Sequence, residues 1–135
     1  MGYKVTSLDE LGDGVFRKLR PALDVTAFGI NAIVLPPETE WFHHFHDVQD
    51  ELYFVHSGRA GFEIEGDSFE VAAGGAVHVE STTPRKFSNA GDDDLVVLVI
   101  GGKDGYVERD GHMVDEADVA RRASFGSSGT TAGPR

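Results

Sequence analysis

The sequence contains no cysteine. Disulfides, thiolate-held metals and cysteine nucleophiles are therefore excluded. The absence fits a reducing compartment, and a cytoplasmic location is expected. Long apolar runs are also missing. The longest, Leu95 to Ile100, is far too short to span a bilayer. The opening MGYKVTSLDE has no apolar segment, so no secretory signal is expected. Positive charge is scarce, with 12 Lys and Arg against 23 Asp and Glu and a net charge of −11. A nucleic-acid backbone demands clustered cations, so such a partner is excluded. An anionic membrane surface would repel this chain.

What is present is glycine, 17 of 135 residues. Tight turns are thus favoured over long helices. A chain of 135 residues suits one domain with one core. Short strands are predicted at 14–19, 25–35, 41–46, 51–57, 61–65, 68–71, 76–80, 85–89 and 95–100. Turn residues separate them, such as Glu65-Gly66-Asp67 and Ala73-Gly74-Gly75. Alternation is plain in GFEIEG, where Phe62 and Ile64 share one face and Glu63 and Glu65 the other. Many short strands without intervening helices predict an antiparallel sandwich or barrel. The expected β domain spans 1–112. Residues 113–123 predict a short helix, acids first and arginines last, as the helix dipole prefers. Residues 124–135 are small and polar, and predict a disordered tail.

Four of six histidines lie in WFHHFHDVQDELYFVHSG, residues 41–58. Strand parity sorts them. If His44 points inward, so do Phe42 and His46, while Trp41, His43 and Phe45 point outward. The two imidazoles then stand about 7 Å apart at the backbone and can converge on one ion. On the next strand, Glu51, Tyr53 and Val55 share the inward face, and His56 points away. Two imidazoles and a carboxylate suit divalent transition metals such as Fe, Mn, Ni or Zn. An H-x-H pair alone is a weak signal. His43 and His56 are expected at the surface or between subunits. His78 opposes Val77 and Val79 and faces away from the site, and His112 has no assigned role. Trp41 is expected on the outer face, under the N-terminal strands or in a dimer interface.

His44-x-His46, four residues, Glu51, six residues and Gly58 resemble the first motif of the cupin family. Gly66, Gly74-Gly75, Val77, Val79 and Thr83 to Asn89 resemble its second motif, and Leu95 to Ile100 its last strand. The resemblance covers about residues 25–102. It implies an all-β double-stranded β-helix, the jelly-roll barrel, and a homodimer. It also implies a metal held by His44, His46 and Glu51, and an interior pocket for a small organic ligand. Three positions depart from the family pattern. Glu38 stands where the first motif has glycine, and Ala72-Ala73-Gly74 where the second has Pro-x-Gly. Arg85 stands where the second motif supplies a further histidine.

Arg85 cannot be a ligand, because its guanidinium is always protonated. Two readings follow. In the first, His44, His46 and Glu51 keep the metal, and Arg85 orients an anionic substrate by a forked hydrogen bond. Tyr53, Phe42 and Phe87 then line the substrate pocket. The expected activity is that of an oxygenase or isomerase on a small organic acid or carbonyl compound. In the second, no metal is bound and Arg85 pairs with Glu51. The barrel is then a non-catalytic ligand-binding or structural protein.

Overall fold

The computed structural model describes residues 2–126, with side chains described to Arg122. Ten strands form two antiparallel five-stranded sheets. They are β1 (Phe16–Arg17), β2 (Gly29–Leu35), β3 (His44–His46), β4 (Asp50–Ser57), β5 (Arg59–Ile64), β6 (Asp67–Ala72), β7 (Ala76–Val79), β8 (Arg85–Asn89), β9 (Leu95–Gly102) and β10 (Gly111–Met113). Their order is β1-β2-β9-β4-β7 in one sheet and β10-β3-β8-β5-β6 in the other. This is the expected all-β double-stranded β-helix.

Period-two patterning drives the packing. Along β9, Leu95, Val97 and Val99 are buried and Val96, Leu98 and Ile100 are half-buried. The inward residues meet Phe62 and Phe87 from the facing sheet in one core. Tyr53, Phe62 and Phe87 pack with ring centroids 5.6–5.7 Å apart, a separation aromatic pairs prefer.

Turn chemistry closes the hairpins. Glu65 and Gly66 both have positive φ, 52° and 85°, as a two-residue hairpin turn of this hand requires. Gly58 joins β4 to β5 with φ of 85°, and a Cβ there would lie 2.7 Å from the Asp94 carbonyl oxygen. Glu38, at the motif's glycine position, keeps a left-handed φ of 64°. A left-handed backbone at a non-glycine residue costs about 1–2 kcal/mol.

Several sequence expectations change. The strand predicted at 25–35 begins at Gly29. Residues 19–23 form helix α1 (Leu19–Leu23), with Pro21 in the first turn where its missing N–H is harmless. Trp41 and Phe42 precede β3 rather than extending it, so strand parity does not govern them. Trp41 is only 2% exposed, contrary to the outer-face expectation. It does pack under the N-terminal strand, stacked on Phe16 with centroids 5.7 Å apart. The C-terminal helix α2 is Glu116–Gly126. The tail expected at 124–135 thus overlaps the helix up to residue 126, and 127–135 lie outside the described residues. Among the described residues no helix is long and apolar enough to cross a membrane.

Candidate metal centre

The two sheets each deliver part of the site. His44 and His46 come from β3, and Arg85 from β8 sits directly across from His44 in register. Glu51 and Tyr53 come from β4 in the other sheet. All five side chains are fully buried. His44, His46 and Glu51 each offer one ligand atom, and these atoms lie within 4.8 Å of one another. The three groups that parity on β3 and β4 turned inward are adjacent in the structure.

Four groups crowd one carboxylate oxygen, Oε1 of Glu51. Tyr53 donates its hydroxyl at 2.6 Å. The Nε2 atoms of His46 and His44 stand 3.1 and 3.4 Å away, and Arg85 Nη1 is at 3.4 Å. The other oxygen, Oε2, is buried and has no hydrogen-bond partner among the described residues.

Both imidazoles are held from behind. His44 Nδ1 lies 3.0 Å from the Phe42 carbonyl oxygen, which can only accept, so this nitrogen carries the hydrogen. His46 Nδ1 lies 2.8 Å from a carboxylate oxygen of Asp110 and donates likewise. In their neutral forms both rings therefore carry a lone pair at Nε2; that of His44 faces Glu51, and the buried Nε2 of His46 has no hydrogen-bond partner among the described residues. Two imidazole lone pairs crowded beside a carboxylate repel it unless a cation offsets them: a proton on one ring, a metal ion, or the Arg85 guanidinium 3.4 Å from the same oxygen. Metal–ligand distances of about 2.0–2.2 Å place adjacent ligand atoms about 3–3.5 Å apart. The observed 3.1 and 3.4 Å match that spacing. The donor set, its spacing and its backing hydrogen bonds thus fit a divalent ion.

Arg85 has a double attachment. Besides Glu51, its Nη2 donates to the carbonyls of Glu80 at 2.8 Å and Ser81 at 3.4 Å. Only Nε lacks a hydrogen-bond partner among the described residues. The guanidinium is thereby fixed at the rim of the ligand group. Phe42 and Phe87 belong to the hydrophobic core. Phe42 also lies under the guanidinium of Arg121 from α2, 4.2 Å from the ring centroid.

Electrostatics favour a neutral His44 and an ionised Glu51. Burial lowers the His44 pKa, outweighing the pull of Glu51 toward the charged ring. Burial opposes ionisation of Glu51, yet the two histidines, His46 first, hold its carboxyl below the ordinary range. Burial and the charge of Glu51 push the Tyr53 phenol up, so it remains a donor. Burial also acts against the Asp110 carboxylate, but hydrogen bonds from Gln49, Val48 and His46 lower its pKa.

A pH prediction follows from these directions. For His44, Glu51 and Asp110 the folded state binds its proton less readily than the unfolded chain. The unfolded groups protonate at ordinary values of 6.5, 4.5 and 3.8. Stability is thus fully present above about 6.5 and declines as pH falls, more steeply below about 4.5. Denaturant melts of chelator-treated protein across this range should show that decline. A flat profile would mean that these groups are not coupled to folding.

Off-site histidines behave as expected. His43 is half-buried beside Asp115, 3.6 Å away; His56 and His78 are exposed. His112 stacks on Phe45 and lies 2.9 Å from Asp47 on the surface. Sequence reasoning missed Asp110, which precedes β10, 64 residues from His46. Its one signal was an Asp-Gly turn, which is common.

Comparison with known proteins bears on the family and the fold. The cupin domain model matches residues 32–101. The chain is similar to an uncharacterized protein of Methanocaldococcus jannaschii, 28% identical over 65 residues, or 48% of this chain and 52% of that one. The chain spans about half the length of the curated relatives it matches. Among solved structures it is similar to a cupin protein from Bacteroides fragilis, with TM-score 0.68 and 25% identity, covering 81% of this chain and 91% of that one. It is also similar to a proposed sugar phosphate isomerase of Acidithiobacillus ferrooxidans, with TM-score 0.64 and 28% identity, covering 82% and 71%. With more than half of its length matched and the barrel in place, the chain belongs to the cupin domain family.

Proposed function

We propose that the barrel holds one divalent transition metal through His44, His46 and Glu51, and acts on a small anionic carbonyl or carboxylate compound. The observation that carries this reading is the buried trio itself: both Nε2 atoms stand within 3.4 Å of one Glu51 oxygen, and that of His46 has no hydrogen-bond partner among the described residues. When bound, the metal polarises a substrate oxygen as a Lewis acid. The chain's own groups do the rest. Arg85 adds a fixed positive charge at the rim. A dication, Arg85 and Glu51 sum to a charge of about +2 in a buried space, which favours an anionic ligand. Tyr53 holds Glu51 in place through its hydroxyl. Likeness to the Acidithiobacillus protein favours isomerase chemistry over the oxygenase alternative.

A second reading has its own observation, the buried Arg85–Glu51 pair at 3.4 Å. There the guanidinium replaces the metal and the barrel is a metal-free binding or structural protein. Elemental analysis of protein purified without chelator separates the two. The metal reading expects one equivalent of a transition metal and a lower melting temperature in EDTA. Metal-free protein, indifferent to EDTA and to added metals, selects the second reading.

The homodimer is proposed on the outer face of the β1-β2-β9-β4-β7 sheet. Ile30, Ile100 and Leu52 form one cross-strand row, and Leu98 and Phe54 share the next. Leu52 is 38% exposed. On a chain of net charge −11, this apolar row lets two copies meet with little like-charge repulsion. Sedimentation equilibrium should give twice the chain mass, and Leu52→Glu should halve it. A wild-type monomer at micromolar concentration would reject this interface.

A further inference from the structure

We propose that Asp110 is the positioning residue of the metal centre, selecting which nitrogen of His46 faces the metal. The proposal rests on the metal reading above, and it lies outside the family match, which ends at residue 101. Asp110 belongs to the segment leading into β10, which pairs with β3 so that Gly111 stands opposite His46. Its two oxygens take four donors. Oδ1 accepts from His46 Nδ1 at 2.8 Å and from Gln49 Nε2 at 2.7 Å. Oδ2 accepts from the backbone N–H groups of Val48 at 2.7 Å and Gln49 at 3.1 Å. The β3–β4 connection is therefore built around this one carboxylate, which is an acceptor only. An acceptor at Nδ1 forces the hydrogen onto Nδ1 and leaves the lone pair at Nε2.

An asparagine at this position reverses that logic. Its carbonyl oxygen can keep the bonds from Val48 and Gln49 N–H. Its amide then points donors at His46 and at the Gln49 side chain. Gln49 can accommodate the change by rotating its amide, because Oε1 is buried without a hydrogen-bond partner among the described residues. His46 must now accept at Nδ1 and carry its hydrogen on Nε2, which stands 3.1 Å from Glu51 Oε1. The metal-free fold keeps an acceptor close to that hydrogen, but the metal loses a ligand lone pair. A merely structural role for Asp110 predicts the opposite pattern, a weakened fold with an unchanged imidazole tautomer.

The test is long-range ¹H–¹⁵N NMR of His46 in chelator-treated protein at mildly alkaline pH, paired with Zn2+ titration. Wild type should show the Nδ1–H tautomer, and Asp110→Asn the Nε2–H tautomer. Zn2+ affinity should fall about 10–100-fold in the variant, the range for lost supporting partners of metal-bound histidine. A wild-type His46 in the Nε2–H form overturns the proposal even if the variant fails to fold. So does a variant that keeps the wild-type tautomer or the wild-type affinity. If neither protein binds Zn2+, the metal reading fails by itself. The tautomer switch then still decides whether Asp110 sets the ring.

Discussion

Arg85→Met is expected to destabilise the metal-free protein by about 3–5 kcal/mol, the cost of leaving one charge of a buried pair unpaired. Glu51 is fully buried, and among the described residues Arg85 is its one permanently charged neighbour within 4 Å. Methionine preserves much of the side-chain length, so lost packing contributes little. The Nη2 bonds to the Glu80 and Ser81 carbonyls also disappear, freeing the loop before β8. Acidification should shrink the loss, because an imidazolium can then take the guanidinium's place beside Glu51. Bound metal should shrink it too, since a ligand selective for the folded state adds stability with its free concentration. Urea melts with and without Zn2+ measure both effects. A loss below about 1 kcal/mol in metal-free protein would show that Glu51 does not depend on Arg85. Arg85→His, which supplies the histidine of the family pattern, should instead raise metal affinity.

His44→Ala should abolish stoichiometric metal binding. It removes one of three ligands, so affinity should fall by more than the about 10–100-fold that a lost supporting partner costs. The effect on the metal-free fold is smaller. His44 loses its bond to the Phe42 carbonyl and leaves a cavity, together worth about 2–4 kcal/mol. Metal content after gel filtration, compared with a denaturant melt in EDTA, separates lost ligation from lost folding. Full metal occupancy in a folded His44→Ala protein would move the site elsewhere.

Legibility in the sequence followed local periodicity. On β4, alternation placed Glu51, Tyr53 and Val55 inward, and they are buried, because eight residues of regular strand fix the period. Ahead of β3 the same rule failed. Trp41 and Phe42 are consecutive and both buried, which no extended strand on a single-faced sheet allows. The pairing with β8 slips by one residue between Glu40–Ser88 and His44–Arg85, and the two rings pack against each other, 4.6 Å apart and edge to face. Strand β10 was invisible because three residues, Gly111–Met113, carry no period. Asp110 went with it, since its partners are fixed by a long-range pairing that local patterning cannot reveal. Arg85 was identified as the departure that matters, and its register opposite His44 puts it against the ligand group. Its anchoring by two backbone carbonyls depends on the 80–85 turn and could be seen only in three dimensions.

The central claim is that His44, His46 and Glu51 form a working metal site despite Arg85. Calorimetric titration of Mn2+ or Zn2+ into chelator-treated wild-type protein near neutral pH tests it most directly. Folded wild-type protein should bind one equivalent of metal in a saturable isotherm. No saturable binding by the folded protein would contradict it and leave the Arg85–Glu51 pair as the barrel's resident charge.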